Sequence, residues 1–434
     1  MRSNLITVVT AVASVVLVAS VASADQVQEQ FRLMEQRMAE MEDRLEATSD
    51  DLRTARATVD EQQSLLTDAG LVDASDQGLR SAVGSFFESV DVSGVAAASY
   101  NHRLIKADDP NGGNALFKNP NANTFQVDQI WLTLDKAPTE ESRAGFHAEF
   151  ATGASATVQG DGGGGDGVPY LYSGYVSYLA PVLDGVQVDL GRLGTVLGAE
   201  VVQTNGNFFV TQGAVFGLQP VTYNGVSLGT SITDEISVVA GVVNDVYSDT
   251  MVSADNNKAY FGQVSYGGDA FGLNVGGIIG DSDASVCVQG AFPGQNDCQV
   301  SIVDVVLTAD PTDDLSVWAN FDWVNVNGSD NGPDGNAFGI SGAGRLGITD
   351  TMGIASRIEY INTSSNLTGL ADDSELLTVT GTLDKTLTDG LVTRLELRYD
   401  TFLDDNGTGF TLNGDAAGTN DDQLVALWQM YYEF

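Results

Sequence analysis

The fold class this sequence predicts is an all-β, membrane-spanning antiparallel barrel of about sixteen strands, preceded by an α-helical coiled coil and a cleaved signal peptide. Three observations predict it. The chain ends on an alternating strand, LVALWQMYYEF, in which Leu424, Ala426, Trp428, Met430, Tyr432 and Phe434 share one face. Successive strand side chains point to opposite faces, so this apolar face must lie against lipid or a core, with Phe434 as the last residue. The amino terminus carries an export signal. From about residue 90 onward, period-two segments are joined by links that alternate between short and long.

The elements follow in chain order. Arg2, the apolar run Leu5 to Ala22 and the small-x-small site Ala22-Ser23-Ala24 make residues 1–24 a secretory signal peptide. Within the segment 25–71, Val27 to Leu66 keep a heptad, with Phe31, Met38, Leu45, Leu52, Val59 and Leu66 at one position and Val27, Met34, Met41 and Ala55 at the other. Thr48 and Gln62 interrupt the second position. One helix cannot bury such a stripe alone, so the preferred reading is a homotrimeric periplasmic stalk of roughly 60 to 70 Å that reaches toward peptidoglycan. A helix lying on the barrel or plugging its lumen is the alternative. Residues 72–89 form a linker and 90–434 the barrel.

Sixteen strands are read at 90–101, 124–135, 144–152, 171–179, 186–193, 221–230, 236–244, 258–266, 271–280, 300–309, 315–327, 336–348, 352–362, 376–383, 391–400 and 424–434. Tight polar turns such as Ala180 to Gly185 and Lys385 to Gly390 alternate with longer links such as Gly194 to Pro220. Short turns on one rim, long loops on the other and an even strand count place both termini in the periplasm of a Gram-negative cell, with the last strand closing on the first near Val90. About sixteen strands leave an aqueous channel. The terminal residues Trp428, Met430, Tyr432 and Phe434 resemble the signal that the outer-membrane assembly machinery recognises.

Composition narrows the function. The formal charge is -40, which disfavours nucleic acid as a partner. Cys287 and Cys298 lie close in an exported chain and are expected to form a disulfide. The two histidines, His102 and His147, are remote from them and sit in no recognisable motif, so neither a metal site, a cofactor nor an enzyme activity is expected. The lipid-facing set turns Asp189, Asp322, Arg345, Arg357, Glu359, Arg394, Glu396 and Arg398 inward as pore-lining candidates. The eight long loops are acidic, with basic residues read only in the first (Arg103, Lys106 and Lys118), and such a rim favours cations. Carboxylates at Asp161, Asp166, Asp421 and Asp422 leave Ca²⁺ binding open as an alternative to a plain acidic loop.

Four segments resemble the OmpL-like β-barrel porin family of Gram-negative outer membranes: FFESVDVSGVAAASYNH from Phe86, LTLDKAP from Leu132, YVSYLAPVLDGVQVDLGRLGTVLGAEVV from Tyr175 and VTYNGVSLGTSITDEISVVAGVVND from Val221. The resemblance implies a passive channel for small solutes with no cofactor and no catalysis. It also implies that Gly194 to Pro220 folds inward, with Glu200, Asn205, Asn207, Phe208 and Phe209 as constriction candidates. The family pattern has a basic residue in this segment and a histidine near its end. Here Phe209-Val210-Thr211 and Val221-Thr222-Tyr223 stand in those places. An outer-membrane tether or adhesin, using the coiled coil and acidic loops, is the alternative function.

Overall fold

In a computed structural model of the chain, residues 89–104, 123–159, 170–183, 185–247, 258–282, 298–328, 334–364, 374–403 and 422–434 are described. The segments read as signal peptide and stalk and the linker up to residue 88, together with Cys287 and most of the long-loop carboxylates, lie outside these residues. The barrel belongs to a compact unit, Ser89–Phe434.

Sixteen strands close into one antiparallel barrel, each hydrogen-bonded to its sequence neighbours, with the first joined to the last. They are β1 (Asp91–Arg103), β2 (Phe125–Lys136), β3 (Ala144–Thr152), β4 (Tyr170–Ala180), β5 (Val186–Gly194), β6 (Thr222–Ser231), β7 (Ile236–Val243) and β8 (Ala259–Gly267). The second half comprises β9 (Gly272–Ser282), β10 (Cys298–Thr312), β11 (Leu315–Gly328), β12 (Gly335–Thr349), β13 (Met352–Thr363), β14 (Ser374–Thr388), β15 (Leu391–Phe402) and β16 (Asp422–Glu433). Every segment read from the sequence corresponds to one of these strands.

The differences sit at strand ends. β14 continues to Thr388, well past the expected Leu383, because Lys385, Thr386 and Thr388 still pair with Thr393, Val392 and Leu391. The turn shrinks to Asp389-Gly390, and Gly390 takes φ of 73°, which favours glycine. His102 and Arg103, assigned to a loop by sequence, are the last residues of β1. Lys258, assigned to a strand, falls just before β8, so the loop after β7 also carries a base. A short helix, α1 (Ala154–Gln159), follows β3 where only loop was expected.

Burial is inverted relative to a soluble protein. Ile358, Leu395, Leu397, Ile340 and Leu190 are all more than half exposed, while their strand neighbours Arg357, Glu359, Glu396 and Arg398 are almost fully buried. Alternation puts the first set outward and the second inward. A base on the outer face would cost about 2–4 kcal/mol at the midplane of a bilayer, so lipid dictates this pattern as strongly as any core. In β16, Trp428 and Tyr432 face outward, as does Phe434 just beyond it, and Val425, Leu427, Gln429 and Tyr431 face inward. Closure occurs at Gly94: its N–H donates to the Phe434 carbonyl at 3.1 Å, and the Phe434 N–H returns to the Gly94 carbonyl at 3.2 Å. The seam is therefore four residues further along than the expected Val90.

Candidate functional site

The third long loop, L3 (residues 195–221), turns into the barrel. Its composition explains why. Between Thr195 and Val221 there is one acidic residue, Glu200, and no Lys or Arg, in a chain whose charge is -40. Most of 209–216 is buried, as are Leu218 and Gln219. Two 3₁₀ turns, Thr204–Gly206 and Val215–Leu218, give the loop its compact shape. Asn207 staples it internally, donating to the carbonyls of Val201 at 2.7 Å and Gln203 at 2.8 Å and accepting from the Val201 N–H at 2.9 Å.

A loop without sheet partners must satisfy its buried backbone groups elsewhere. Here the barrel wall supplies both signs. Arg394 donates to the carbonyls of Thr204 at 2.9 Å, Asn207 at 2.7 Å and Phe209 at 3.2 Å. Arg398 donates to the Gln212 carbonyl at 2.6 Å, and Arg357 to that of Thr211 at 2.9 Å. Carboxylates take the loop's N–H groups: Glu396 accepts from Val210 at 2.6 Å and Thr211 at 3.1 Å, and Glu359 accepts from Val215 at 3.2 Å. Hydrogen bonds to charged groups each contribute about 1.5–3 kcal/mol when buried, so the set is strong enough to hold the loop.

Ion pairs tie the clamp together. Arg357 contacts Glu200 of the loop at 2.5 Å and Glu359 of its own strand at 3.0 Å, with its guanidinium 4.5 Å from the centroid of the Phe209 ring. Arg398 is held by Asp400 at 2.9 Å, and Arg394 lies over Tyr431 at 4.6 Å. Glu200 also accepts from the Gly213 N–H at 2.7 Å. Burial pushes its carboxyl up to about 7, against the opposing pull of Arg357.

Further anchors come from the rest of the circumference. Gln129 of β2 donates to the Val202 carbonyl at 2.8 Å and accepts from the Thr204 N–H at 3.0 Å. The Thr204 hydroxyl donates to Gln429 of β16 at 3.0 Å. Gln219 donates to Asn320 at 2.9 Å and Asp322 at 2.6 Å, both on β11, and Gln263 of β8 donates to the Val196 carbonyl. L3 thus meets the wall at several points around the ring.

The structure brings Asp322, Arg357, Glu359, Arg394, Glu396 and Arg398 together with L3, but in a position that sequence alternation did not reveal. All six face inward, and each is at most 5% exposed. They hold the loop rather than face open water. Arg345 stands apart, in a bidentate pair with Asp384 at 2.9 and 2.6 Å. Asp189 lies on the far wall, accepting from Ser177 at 2.6 Å and from Gln187 at 3.0 Å. Of the loop candidates, Phe209 is buried beneath Arg357, Phe208 packs beside it, and Asn205 reaches the rim to donate to Glu433 at 3.1 Å. Cys298 is disulfide-bonded.

Sequence reasoning missed Gln129, Asp400, Gln429 and Gln219. Asp400 and Gln429 shared the inward register of residues already singled out, so period-two counting could have found them. Gln129 could not be placed that way, because β2 carries a bulge opposite Ala97 and Ala98 that shifts its phase. On the second wall, His147 lies 2.8 Å from Asp135 and 3.5 Å from Glu149 and stacks on Tyr175 at 4.9 Å.

A closed sixteen-stranded barrel with outward apolar and inward charged residues, and a loop folded into its lumen, defines a porin-type channel. The chain belongs to the OmpL-like β-barrel porins: the family model described as "Putative beta-barrel porin-2, OmpL-like" matches residues 89–434. No curated protein sequence matches the chain. Among solved structures, the barrel is similar to an anion-selective porin from Comamonas acidovorans, with a TM-score of 0.56 and 12% identity over 80% of this chain and 99% of that one. It is also similar to OmpT, an outer membrane protein of Vibrio cholerae (TM-score 0.55, 14% identity, 80% of this chain and 97% of that one). A third similar structure is Pseudomonas putida OprB (TM-score 0.54, 12% identity, 82% and 96%). At these identities the likeness extends to the fold.

Proposed function

We propose that the protein is an outer-membrane porin of a Gram-negative bacterium, a water-filled channel for passive diffusion of ions and small hydrophilic solutes, with a preference for cations. One observation carries the preference. Among the described residues, the inward arginines 103, 192, 357, 394 and 398 are at most 5% exposed, and Arg345 is paired to Asp384. Asp135, Glu149 and Asp189 on the opposite wall, and Glu433 at the rim, retain exposure. The charges of the β2 to β5 lumen wall left facing water are therefore acidic, while the exposed Lys258 and Lys385 and the partly exposed Lys136 and Arg143 lie at turns or toward strand ends, and a water-filled lumen with acidic walls concentrates cations. The test is the reversal potential of the purified protein in a planar bilayer under a KCl gradient. A potential of the sign for K⁺ permeation supports the preference, and one favouring Cl⁻ sinks it.

The finer organisation belongs to the same reading. Removal of residues 1–24 on export, a periplasmic stalk at 25–71 and a homotrimer fit the heptad. One OmpT structure is described as a trimer form, which supports the oligomer by likeness of fold only. Assembly-machinery recognition through Trp428, Met430, Tyr432 and Phe434, both termini in the periplasm and a stalk contact with peptidoglycan complete it. A chain beginning at Gly78 is expected to run as a monomer on unheated gels while retaining its conductance. A trimer that survives this truncation argues against the stalk, and a raised conductance argues for a plug instead.

A further inference from the structure

We propose that the cavity between the start of L3 and strands β2 to β4 binds a small organic cation, an ammonium-bearing solute with an oxygen acceptor near its charge. The proposal rests on the cation-conducting reading above and names a solute class for it. The cavity has a volume of about 250 Å³, and Trp131, Glu149, Tyr172, Gln203 and Phe216 line it. That is smaller than the ~300–1,000 Å³ of drug-sized sites, so a solute of a few heavy atoms fits.

Its chemistry is specific. Trp131 and Tyr172 are buried inward residues whose rings meet edge-on at 4.6 Å, and Phe216 closes the loop side. Aromatic rings beside a carboxylate are the surroundings that hold an alkylammonium, through the ring quadrupole and the opposite charge. The carboxylate is Glu149. Gln203 at 2.8 Å and Thr133 at 3.4 Å both donate to its Oε1, and a ring nitrogen of His147 lies 3.5 Å from Oε2, which orients the group while leaving acceptor capacity on both oxygens. No Lys or Arg lines the cavity, so a carboxylate or phosphate solute has no partner there.

An independent observation points to a ligand. The indole Nε1–H of Trp131 is buried, in a residue 1% exposed, and has no hydrogen-bond partner. Buried donors are nearly always paired, because an unpaired one loses its hydration without compensation. The N–H lies behind the cavity wall, with almost no accessible surface of its own, so a solute oxygen satisfies this donor once the ring turns toward the cavity, while the ammonium faces Glu149. A second cavity of about 470 Å³, bounded by Ser93, Asn205, Glu433 and Phe434, shares Trp131 and Gln203 with the first. No Lys or Arg lines it either.

The test uses the full-length protein in a planar bilayer with symmetric KCl, to which ethanolammonium chloride is added. The expected result is a concentration-dependent and voltage-dependent interruption of the K⁺ current. Glu149→Gln removes the charge and raises the half-blocking concentration about tenfold or more, as expected for a charge-assisted hydrogen bond. Trp131→Phe keeps a ring but removes the N–H and raises it about two- to tenfold, while leaving block by ethylammonium, which has no oxygen, unchanged. Gln203→Ala, which frees Glu149 from its orienting amide, shifts block in the same direction and serves if Trp131→Phe does not assemble. Equal block of wild type and Glu149→Gln, or no block of wild type, overturns the site. A cation-favouring reversal potential alongside that failure leaves the channel reading intact; an anion-favouring one overturns both.

Discussion

At the scale of single residues, the clamp on L3 is an arrangement of opposite charges aimed at a peptide backbone. Arg394, Arg398 and Arg357 take carbonyls, Glu396 and Glu359 take N–H groups, and Glu200 returns a carboxylate from the loop itself. Glu200 is the group that makes this docking sensitive to pH. It faces Arg357, Glu359 and Arg398 as well as the Gly213 N–H, and burial lifts its carboxyl from an ordinary 4.5 to about 7. A carboxyl raised in the docked state stabilises docking fully below its ordinary value and loses that contribution as pH rises through about 7. Open-channel current noise from loop excursions should therefore grow between about pH 6 and pH 8, and Glu200→Gln should flatten the profile. A wild-type profile independent of pH, or one of opposite slope, would show that Glu200 does not control docking.

At the scale of elements, the strands were legible and the clamp only half so. Lipid outside and water inside force a two-residue alternation on every strand, so sixteen segments could be located from periodicity alone. The direction of Arg357, Glu359, Arg394, Glu396 and Arg398 followed from the same count. Their partners did not, because the loop atoms they hold are mostly main-chain carbonyls and N–H groups, which every sequence has. What did mark L3 was its near absence of charge among acidic loops. The closing element also carries a prediction. A Cβ on Gly94 would lie 2.4 Å from the Trp131 carbonyl and 2.6 Å from the Phe434 ring, so the terminal phenylalanine packs where only glycine leaves room. Gly94→Val should overpack the seam by about 1–3 kcal/mol, and deletion of Phe434 should remove the paired bonds to Gly94 altogether. Both should lower the amount of heat-modifiable barrel in outer-membrane fractions while the assembled remainder conducts normally. Wild-type levels of both variants would remove the seam from any role in assembly.

At the scale of the whole molecule, the arginines and the acids have been divided between two tasks. Among the described residues, the inward arginines other than Arg345 are drawn into the wall and loop contacts, where they are shielded from water, while Lys258 and Lys385 stay exposed. Acids remain on the β2 to β5 wall and at the terminal rim, in a chain whose formal charge is -40. The fold resembles that of an anion-selective porin, yet the same barrel architecture can carry either preference because selectivity lies in the exposed charges rather than in the strands. Sequence alternation gave the inward direction of Asp189, Arg357, Arg394 and Arg398 but not the burial of the three arginines against L3, since inward direction and exposure to water are separate properties. Raising the salt should weaken the cation preference, as the screening length falls from about 10 Å at 0.1 M to about 3 Å at 1 M. Cation selectivity is tested most directly by the zero-current potential across a bilayer holding the full-length channel between low and high KCl. K⁺ is expected to set this potential, which shrinks toward zero in Asp135→Asn, Glu149→Gln and Asp189→Asn combined; a potential set by Cl⁻, or one these substitutions leave unchanged, contradicts selectivity by the exposed acids.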